Sequence, residues 1–95
     1  MAAPAANAGT GGALHVVVLS PEQTVYEGEA ESVVAPAWNG SLGILRGHAP
    51  LMALLGEGDL RISSGGKELR YHVAGGFLQV ADNQVTVLSE RAEAA

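Results

Sequence analysis

Short runs of β-forming residues, each closed by a turn signal, recur along this chain and constrain its fold more than any other feature. The runs LHVVVLS, QTVYEG and ESVVAP end at Ser20-Pro21, Gly28 and Pro36. Later runs flank Ser64-Gly65-Gly66 and Asp82-Asn83, residues that accept the positive φ angles of tight hairpins. Such runs at intervals of about 8–12 residues are typical of an antiparallel sandwich or barrel. We therefore predict an all-β domain, either an antiparallel β-sandwich or a barrel.

Helical patterns are nearly absent. No window of about 12 residues has the 3.6-residue periodicity of an amphipathic helix, and only the final SERAEAA has helical propensity, over too few residues to be stable alone. The Ala-, Gly- and Pro-rich start lacks any periodicity and is typical of a flexible arm. The predicted organisation is an arm over residues 1–12, an all-β domain over residues 13–89 and a short tail over residues 90–95.

The first strand predicts two apolar faces. In LHVVVLS the residues Leu14, Val16 and Val18 share one face of the strand. The other face carries His15, Val17 and Leu19, so both faces are largely apolar. A sandwich strand needs only one apolar face. Either loops of the same chain or another molecule covers the second face.

Composition excludes several classes of function. A net charge of −5 with dispersed basic residues argues against nucleic acid and against direct insertion into anionic lipid. The chain has no cysteine, so it has no disulfide and no thiolate chemistry. No apolar run approaches the roughly 20 residues of a membrane helix.

No residue pattern predicts a catalytic, metal or cofactor site. The histidines His15, His48 and His72 lack metal-ligand spacing, and no serine lies in a G-x-S-x-G context. No phosphate-binding loop is present. The alternating Glu27, Glu29 and Glu31 are typical of a solvated strand face, and we expect no small-molecule ligand.

The segment Arg46-Gly47-His48-Ala49-Pro50 interrupts the apolar stretch SLGILRGHAPLMALL. Three interpretations are open from the residues alone. The segment could hold a catalytic histidine, a metal ligand, or a tight corner that sets a surface against a partner.

The chain from Leu14 to about Arg91 closely resembles the N-terminal β-sandwich domain of the epsilon subunit of F-type ATP synthases. The segments that carry the resemblance are VVVLSPEQTVYEGEAESVVAP, GSLGILRGHAPLMALL, GEGDLRI and VAGGFLQVADNQVTVLSERAE. It implies a sandwich of about ten short strands. It also implies a non-catalytic rotor subunit without a cofactor, which clamps the gamma subunit to the c-ring and couples proton flow to ATP synthesis. Its place would be peripheral, at the cytoplasmic face of the bacterial inner membrane.

The resemblance assigns two interfaces. It implies a gamma-facing surface made of Arg46, His48, Ala49, Pro50 and Met52. It implies a c-ring-facing surface made of Ser20, Trp38, Asn39, Gly40 and Ser41. On this interpretation the segment around His48 is a corner against a partner.

Three departures from the family pattern change these expectations. The usually acidic turn is here WNGS, so we expect apolar contact through Trp38 in place of a salt bridge to the c-ring. Arg46 stands where the family commonly has proline. The chain stops at Ala95 without the C-terminal helical hairpin of many members, which predicts neither hairpin-mediated inhibition nor ATP sensing.

Other functions compete with the rotor role. A free-standing sandwich module that binds a sugar or a peptide would need an aromatic groove or an exposed edge strand. The few aromatic residues count against the sugar. A small enzyme is disfavoured by the missing acid, base and nucleophile pairs.

Overall fold

In the computed structural model, which describes residues 13–95, ten short strands follow one another without an intervening helix. The predicted arm, residues 1–12, lies outside the described residues. In chain order the strands are β1 (Leu14–Leu19), β2 (Thr24–Ala30), β3 (Ser32–Ala37), β4 (Gly40–Leu45), β5 (Leu51–Leu54), β6 (Glu57–Ser64), β7 (Lys67–Ala74), β8 (Phe77–Ala81), β9 (Gln84–Leu88) and β10 (Arg91–Ala94).

The strands form two five-stranded sheets packed face to face, which confirms the predicted sandwich. Sheet A has the order β2-β1-β9-β8-β5 and sheet B the order β10-β7-β6-β3-β4. All pairings are antiparallel except β1 with β9, which run parallel. The antiparallel pattern predicted from the sequence therefore has one exception, in the middle of sheet A.

The core lies between the sheets and consists of alternate residues of each strand. In β1 the side chains of Leu14, Val16 and Val18 are fully buried, while the residues between them are half-buried on the other face. Burial of each such aliphatic side chain stabilises the fold by about 1.5–3 kcal/mol. The core is completed by Ala30, Val33, Ala35, Ile44, Leu55, Leu60, Ile62, Val73, Leu78, Val80, Val85 and Val87.

Both predicted hairpins are present. Asp82 and Asn83 have φ angles of 51° and 61°, the left-handed values that a two-residue hairpin loop requires. Gly65 and Gly66, with φ angles of 60° and 83°, connect β6 to β7 in the same way. Local turn chemistry therefore sets the register of both hairpins.

The C-terminal residues form a strand, contrary to their helical propensity. Arg91–Ala94 pairs antiparallel with β7, and Ala92 lies opposite the buried Val73. The buried Ser89 hydroxyl donates to the carbonyl of Arg91 at 2.6 Å and fixes the chain as it enters β10. Edge pairing with β7 outweighs a weak local preference for helix.

The connections divide between two ends of the sandwich. Residues 20–23, 38–39, 55–56, 75–76 and 89–90 lie at one end. We call it the hairpin end, after the β3–β4 hairpin at residues 38–39. At the opposite end, the corner end, are residue 31 and residues 46–50, 65–66 and 82–83. No helix among residues 13–95 is long and apolar enough to cross a membrane.

Candidate functional site

The outer side of sheet A carries a continuous row of apolar side chains. Leu54, Phe77, Leu88 and Leu19 lie side by side on four neighbouring strands, each opposite the next in register. Leu54 is 62% exposed, Phe77 36% and Leu88 37%. Large apolar side chains that share one exposed face mark an interaction surface, whereas scattered ones do not.

A second row toward the corner end widens this surface. Met52, 64% exposed, and the half-buried Val17 lie on the outer ends of this row, with Gln79 and Thr86 between them. We call the combined surface the apolar face; its residues are Val17, Leu19, Met52, Leu54, Phe77 and Leu88.

The outer side of sheet B has the opposite character. Charged side chains alternate with the buried ones along β6, β7 and β10, and the Arg70 guanidinium pairs with the Glu68 carboxylate at 2.8 Å. The charged residues of this side are Glu57, Asp59, Arg61, Glu68, Arg70, His72, Arg91 and Glu93. The β6, β7 and β10 part of this side is therefore suited to solvent, whereas the outer side of sheet A is suited to a partner.

The five residues predicted to face the c-ring all lie at the hairpin end. Ser20 directly follows β1, and its backbone N–H donates to the carbonyl of Gln23 at 2.9 Å. The other four, Trp38 to Ser41, form the β3–β4 hairpin and the start of β4. The structure thus brings these residues to a common end of the sandwich.

Trp38 joins the hairpin end to the apolar face. Its side chain is 70% exposed, and its backbone N–H donates to the carbonyl of Leu54 at 3.1 Å, which fixes the hairpin beside β5. A groove of about 540 Å³ lies between them and is lined by Ala37, Trp38, Asn39, Ser41, Leu42 and Leu51 to Leu54. Met52, predicted to face gamma, therefore shares a groove with residues predicted to face the c-ring.

The residues predicted to face gamma fall in two places. Arg46, His48, Ala49 and Pro50 form the corner end's longest connection, whereas Met52 lies on the outer side of β5. Within the corner His48 is half-buried, and its ring Nδ1 lies 2.7 Å from the carbonyl oxygen of Ala49.

Asn83 anchors this corner to the neighbouring hairpin. The backbone N–H of Gly47 donates to the Asn83 side-chain oxygen at 2.6 Å, and Gly47 has a φ of 83°. A glycine is needed because this φ is costly for other residues. The segment is a fixed corner that leads directly into the apolar face.

Sequence reasoning missed most of the apolar face. It identified Met52 and the second apolar side of β1, but not Leu54, Phe77 or Leu88. Each of these lies in an alternating run, and the alternation was the available signal. Their convergence depends on which strands are neighbours, which the sequence did not reveal.

His72 on the outer side of sheet B lies between carboxylates of two neighbouring strands. Its Nδ1 is 3.3 Å from the Asp59 carboxylate and its Nε2 is 3.3 Å from that of Glu57, both on β6, while Glu93 of β10 lies opposite in register. The hydrogen bond to Asp59, followed by that to Glu57, raises the pKa of His72 above its ordinary value of 6.5. Protonated His72 can donate from both ring nitrogens and thereby ties β7 to β6.

This cluster predicts a pH-dependent contribution to stability. Because the pKa is raised in the folded chain, the contribution is fully present below a pH of about 6.5 and is lost as the pH rises through the folded-state pKa. We expect the stability advantage of the natural chain over His72→Gln to shrink between about pH 5.5 and pH 8.5. Urea unfolding of both proteins at the two pH values measures the difference between their free energies of unfolding. A difference that does not change with pH would contradict the prediction.

The surfaces of residues 13–95 are more distinctive than any cluster of their polar side chains. The buried side-chain donors and acceptors in this part of the chain are all satisfied, and no group of three or more His, Cys, Asp or Glu side chains within it is arranged to hold a metal ion. The features that stand out are a broad apolar face, a groove beside Trp38 and a rigid corner. Their chemistry is that of contact between proteins.

Comparison with known proteins gives one family. The profile of the ATP synthase delta/epsilon chain β-sandwich domain matches residues 13–95. The ATP synthase epsilon chain of a Synechococcus strain (JA-2-3B'a(2-13)) is 49% identical over 80 residues, which are 84% of this chain and 58% of the relative. The epsilon chain of Frankia casuarinae is 43% identical over 81 residues and is covered to 95% of its length. This chain therefore spans about three fifths of the length of the Synechococcus relative.

Solved structures share the fold. A chain of the Euglena gracilis mitochondrial ATP synthase (OSCP/F1/c-ring) superposes with a TM-score of 0.81 at 22% identity, covering 86% of this chain and 53% of that one. A chain from the central stalk and c-ring of the Tetrahymena thermophila mitochondrial enzyme gives a TM-score of 0.68 at 20% identity, covering 82% of this chain and 63% of that one.

Proposed function

The chain belongs to the family of ATP synthase delta/epsilon chains, and on that premise we propose that it is a non-catalytic subunit of the central stalk of an F-type ATP synthase. In this role it holds the gamma subunit and the c-ring together as they rotate. The ATP chemistry takes place in other subunits of the complex. The chain itself supplies surfaces, and it needs no cofactor.

The apolar face is the observation that carries the proposal. Met52, Leu54, Phe77 and Leu88 are exposed on one side of the sandwich, while β6, β7 and β10 carry charged side chains on the other side. A permanent partner that covers this face removes the apolar side chains from water and contributes about 25 cal/mol for each Å² buried. We assign the face to gamma, together with the adjoining corner of Arg46, His48, Ala49 and Pro50.

The hairpin end is assigned to the c-ring. Ser20 and the hairpin residues Trp38, Asn39, Gly40 and Ser41 lie there, and the hairpin carries no charge. An exposed indole with neighbouring amide and hydroxyl groups supports apolar contact and hydrogen bonding. In the assembled complex the chain would be peripheral, at the cytoplasmic face of the bacterial inner membrane, with no direct insertion into lipid.

Titration calorimetry of the purified chain with the gamma subunit of its own organism tests the proposal. We expect tight one-to-one binding with a negative heat-capacity change, which is the mark of apolar burial. Absence of binding, with both proteins folded, would overturn the gamma assignment. It would instead favour a free-standing sandwich module that binds a peptide or another ligand.

A further inference from the structure

Two hairpins of the sandwich carry an asparagine at the second position of a two-residue loop. In the β3–β4 hairpin the loop is Trp38-Asn39, and in the β8–β9 hairpin it is Asp82-Asn83. The residue after each asparagine, Gly40 or Gln84, begins the next strand. The two asparagines therefore occupy equivalent places in the fold, but their surroundings differ.

Asn83 is held in place by the rest of the fold. Its side-chain oxygen accepts the Gly47 N–H at 2.6 Å, and its backbone carbonyl accepts the His15 N–H at 2.8 Å. Asn83 and the following Gln84 are both half-buried. A side-chain amide bonded in this way keeps one orientation, because turning away would leave a hydrogen bond unmade.

Asn39 has none of these restraints among residues 13–95. It is exposed, and its side chain makes no hydrogen bond within this part of the chain. Gly40 is exposed as well, and a side chain there would meet no atom within 4 Å. Glycine also gives the backbone access to conformations that are costly for other residues. The Asn39 side chain is therefore able to turn onto the backbone of Gly40 without obstruction.

The backbone nitrogen of Gly40 is the nucleophile next to this side chain. Because Gly40 directly follows Asn39, attack on the side-chain carbonyl carbon closes a five-membered imide ring, and proximity replaces a collision between two molecules. Gly40 lies opposite Ala37 in the pair that ends the β3–β4 ladder at the loop. A pair at the end of a ladder opens at a low free energy, so its N–H becomes available without unfolding of the domain.

We propose that Asn39 is a site of spontaneous deamidation, at which the folded chain converts its own side-chain amide to a carboxylate. The Gly40 nitrogen loses its proton and attacks the side-chain carbonyl carbon of Asn39. The new C–N bond forms, the bond to the side-chain nitrogen breaks, and ammonia leaves with the proton. Water then opens the imide ring: opening at the side-chain carbonyl gives aspartate, and opening at the main-chain carbonyl gives isoaspartate. The steps use water alone and change no oxidation state.

The products change the character of the hairpin. No charged residue occurs between Glu31 and Arg46, so the new carboxylate becomes the only charge in residues 32–45. Isoaspartate also adds one carbon atom to the main chain of the loop, next to the Trp38 N–H that donates to the Leu54 carbonyl. This surface is the one assigned to the c-ring. The inference goes beyond that assignment and does not depend on it, since the reaction needs only the folded free chain and water.

Mass spectrometry of the full chain, incubated without partners at about pH 6 and about pH 8.5, tests the proposal. We expect the mass gain of replacing NH₂ with OH to accumulate over days. It should be faster at the higher pH, because the attacking nitrogen must first lose its proton. Peptide mapping should place the gain at Asn39 and none at Asn83. Asn39→Gln is the control and should react at least about tenfold more slowly, since its longer side chain closes a ring less readily.

Gln84→Gly separates the effect of the loop from the effect of the dipeptide. The variant gives Asn83 the neighbour that Asn39 has, while the Asn83 side chain still accepts the Gly47 N–H. We expect Asn83 in this variant to react at least about tenfold more slowly than Asn39. Equal rates would mean that the reaction runs through the unfolded chain, and would overturn the proposal. So would the absence of a mass gain at Asn39 after several weeks at the higher pH.

Unfolding midpoints establish that each variant is folded. If Gln84→Gly does not fold, the natural chain is incubated instead at rising urea concentrations below its unfolding transition. An unchanged rate at Asn39 supports reaction within the folded hairpin. A rate that rises in proportion to the unfolded fraction contradicts it.

Discussion

Replacing Leu54 with aspartate will weaken binding of the gamma subunit by about 100-fold or more. Leu54 is 62% exposed in the free chain and lies at one end of the apolar row that crosses sheet A. The substitution removes an apolar contact worth about 1.5–3 kcal/mol. It also places an unpaired carboxylate in the surface that we propose gamma covers, at a further cost of several kcal/mol. A combined loss of about 3 kcal/mol already corresponds to a 100-fold rise in Kd.

Calorimetric titration of gamma into the variant measures this effect, and Val34→Asp provides the matched control. Val34 is a half-buried apolar strand residue on the outer side of sheet B, so its replacement makes the same change of chemistry on the opposite side of the sandwich. We expect the control to bind gamma as the natural chain does. Equal weakening by both variants would mean that gamma does not distinguish the two sides. Unchanged binding by Leu54→Asp would remove the apolar face from the interface.

The apolar face shows why a site of this kind is only partly predictable from sequence. The alternation in each strand identifies which residues share a side, and in β1 it correctly indicated a second apolar side. The row itself joins residues 19, 54, 77 and 88, which are far apart along the chain. Their proximity follows from the strand order of sheet A, including the parallel pairing of β1 with β9. No local pattern encodes that order.

Turns and strand ends were more predictable because their determinants are local. Asp82-Asn83 and Gly65-Gly66 adopt positive φ angles because of their own side-chain chemistry, so the sequence alone predicted both hairpins. The chain after Ser89 is the opposite case. Its helical propensity is weak, and the open edge of β7 offers hydrogen bonds that a seven-residue helix could not replace. Tertiary pairing therefore decided its conformation.

Gly76→Ala will lower the free energy of unfolding by about 2–5 kcal/mol, a large part of the stability of a domain of this size. Gly76 has a φ of 98°, in a region that other residues adopt at a cost of about 1–2 kcal/mol. A methyl group there would overlap the carbonyl oxygen of Leu88 and lie 2.9 Å from the Ser89 Cα. These are backbone atoms at the end of β9, and they cannot rotate away as a flexible side chain could.

The chain around Gly76 also cannot move aside without further loss. The carbonyl of Gly76 accepts the N–H of the buried Leu55 at 3.0 Å, and thereby joins the connection before β8 to the connection after β5. Relief of the overlap would break this bond and shift Phe77, the next residue, within the apolar face. Overpacking of this kind costs about 1–3 kcal/mol in addition to the backbone strain, out of a total stability of roughly 5–10 kcal/mol for a domain of this size.

Urea unfolding separates the two contributions when Gly66→Ala is measured beside Gly76→Ala. Gly66 has a similar φ of 83°, but a methyl group there would meet no atom within 4 Å. Gly66→Ala should therefore lose only the stability that corresponds to the strain of a left-handed alanine backbone. Its unfolding transition should stay cooperative, with an unchanged slope. If Gly76→Ala lost no more stability than Gly66→Ala, the close approach between the start of β8 and the end of β9 would not exist in solution. The apolar row that runs through Phe77 and Leu88 depends on that approach.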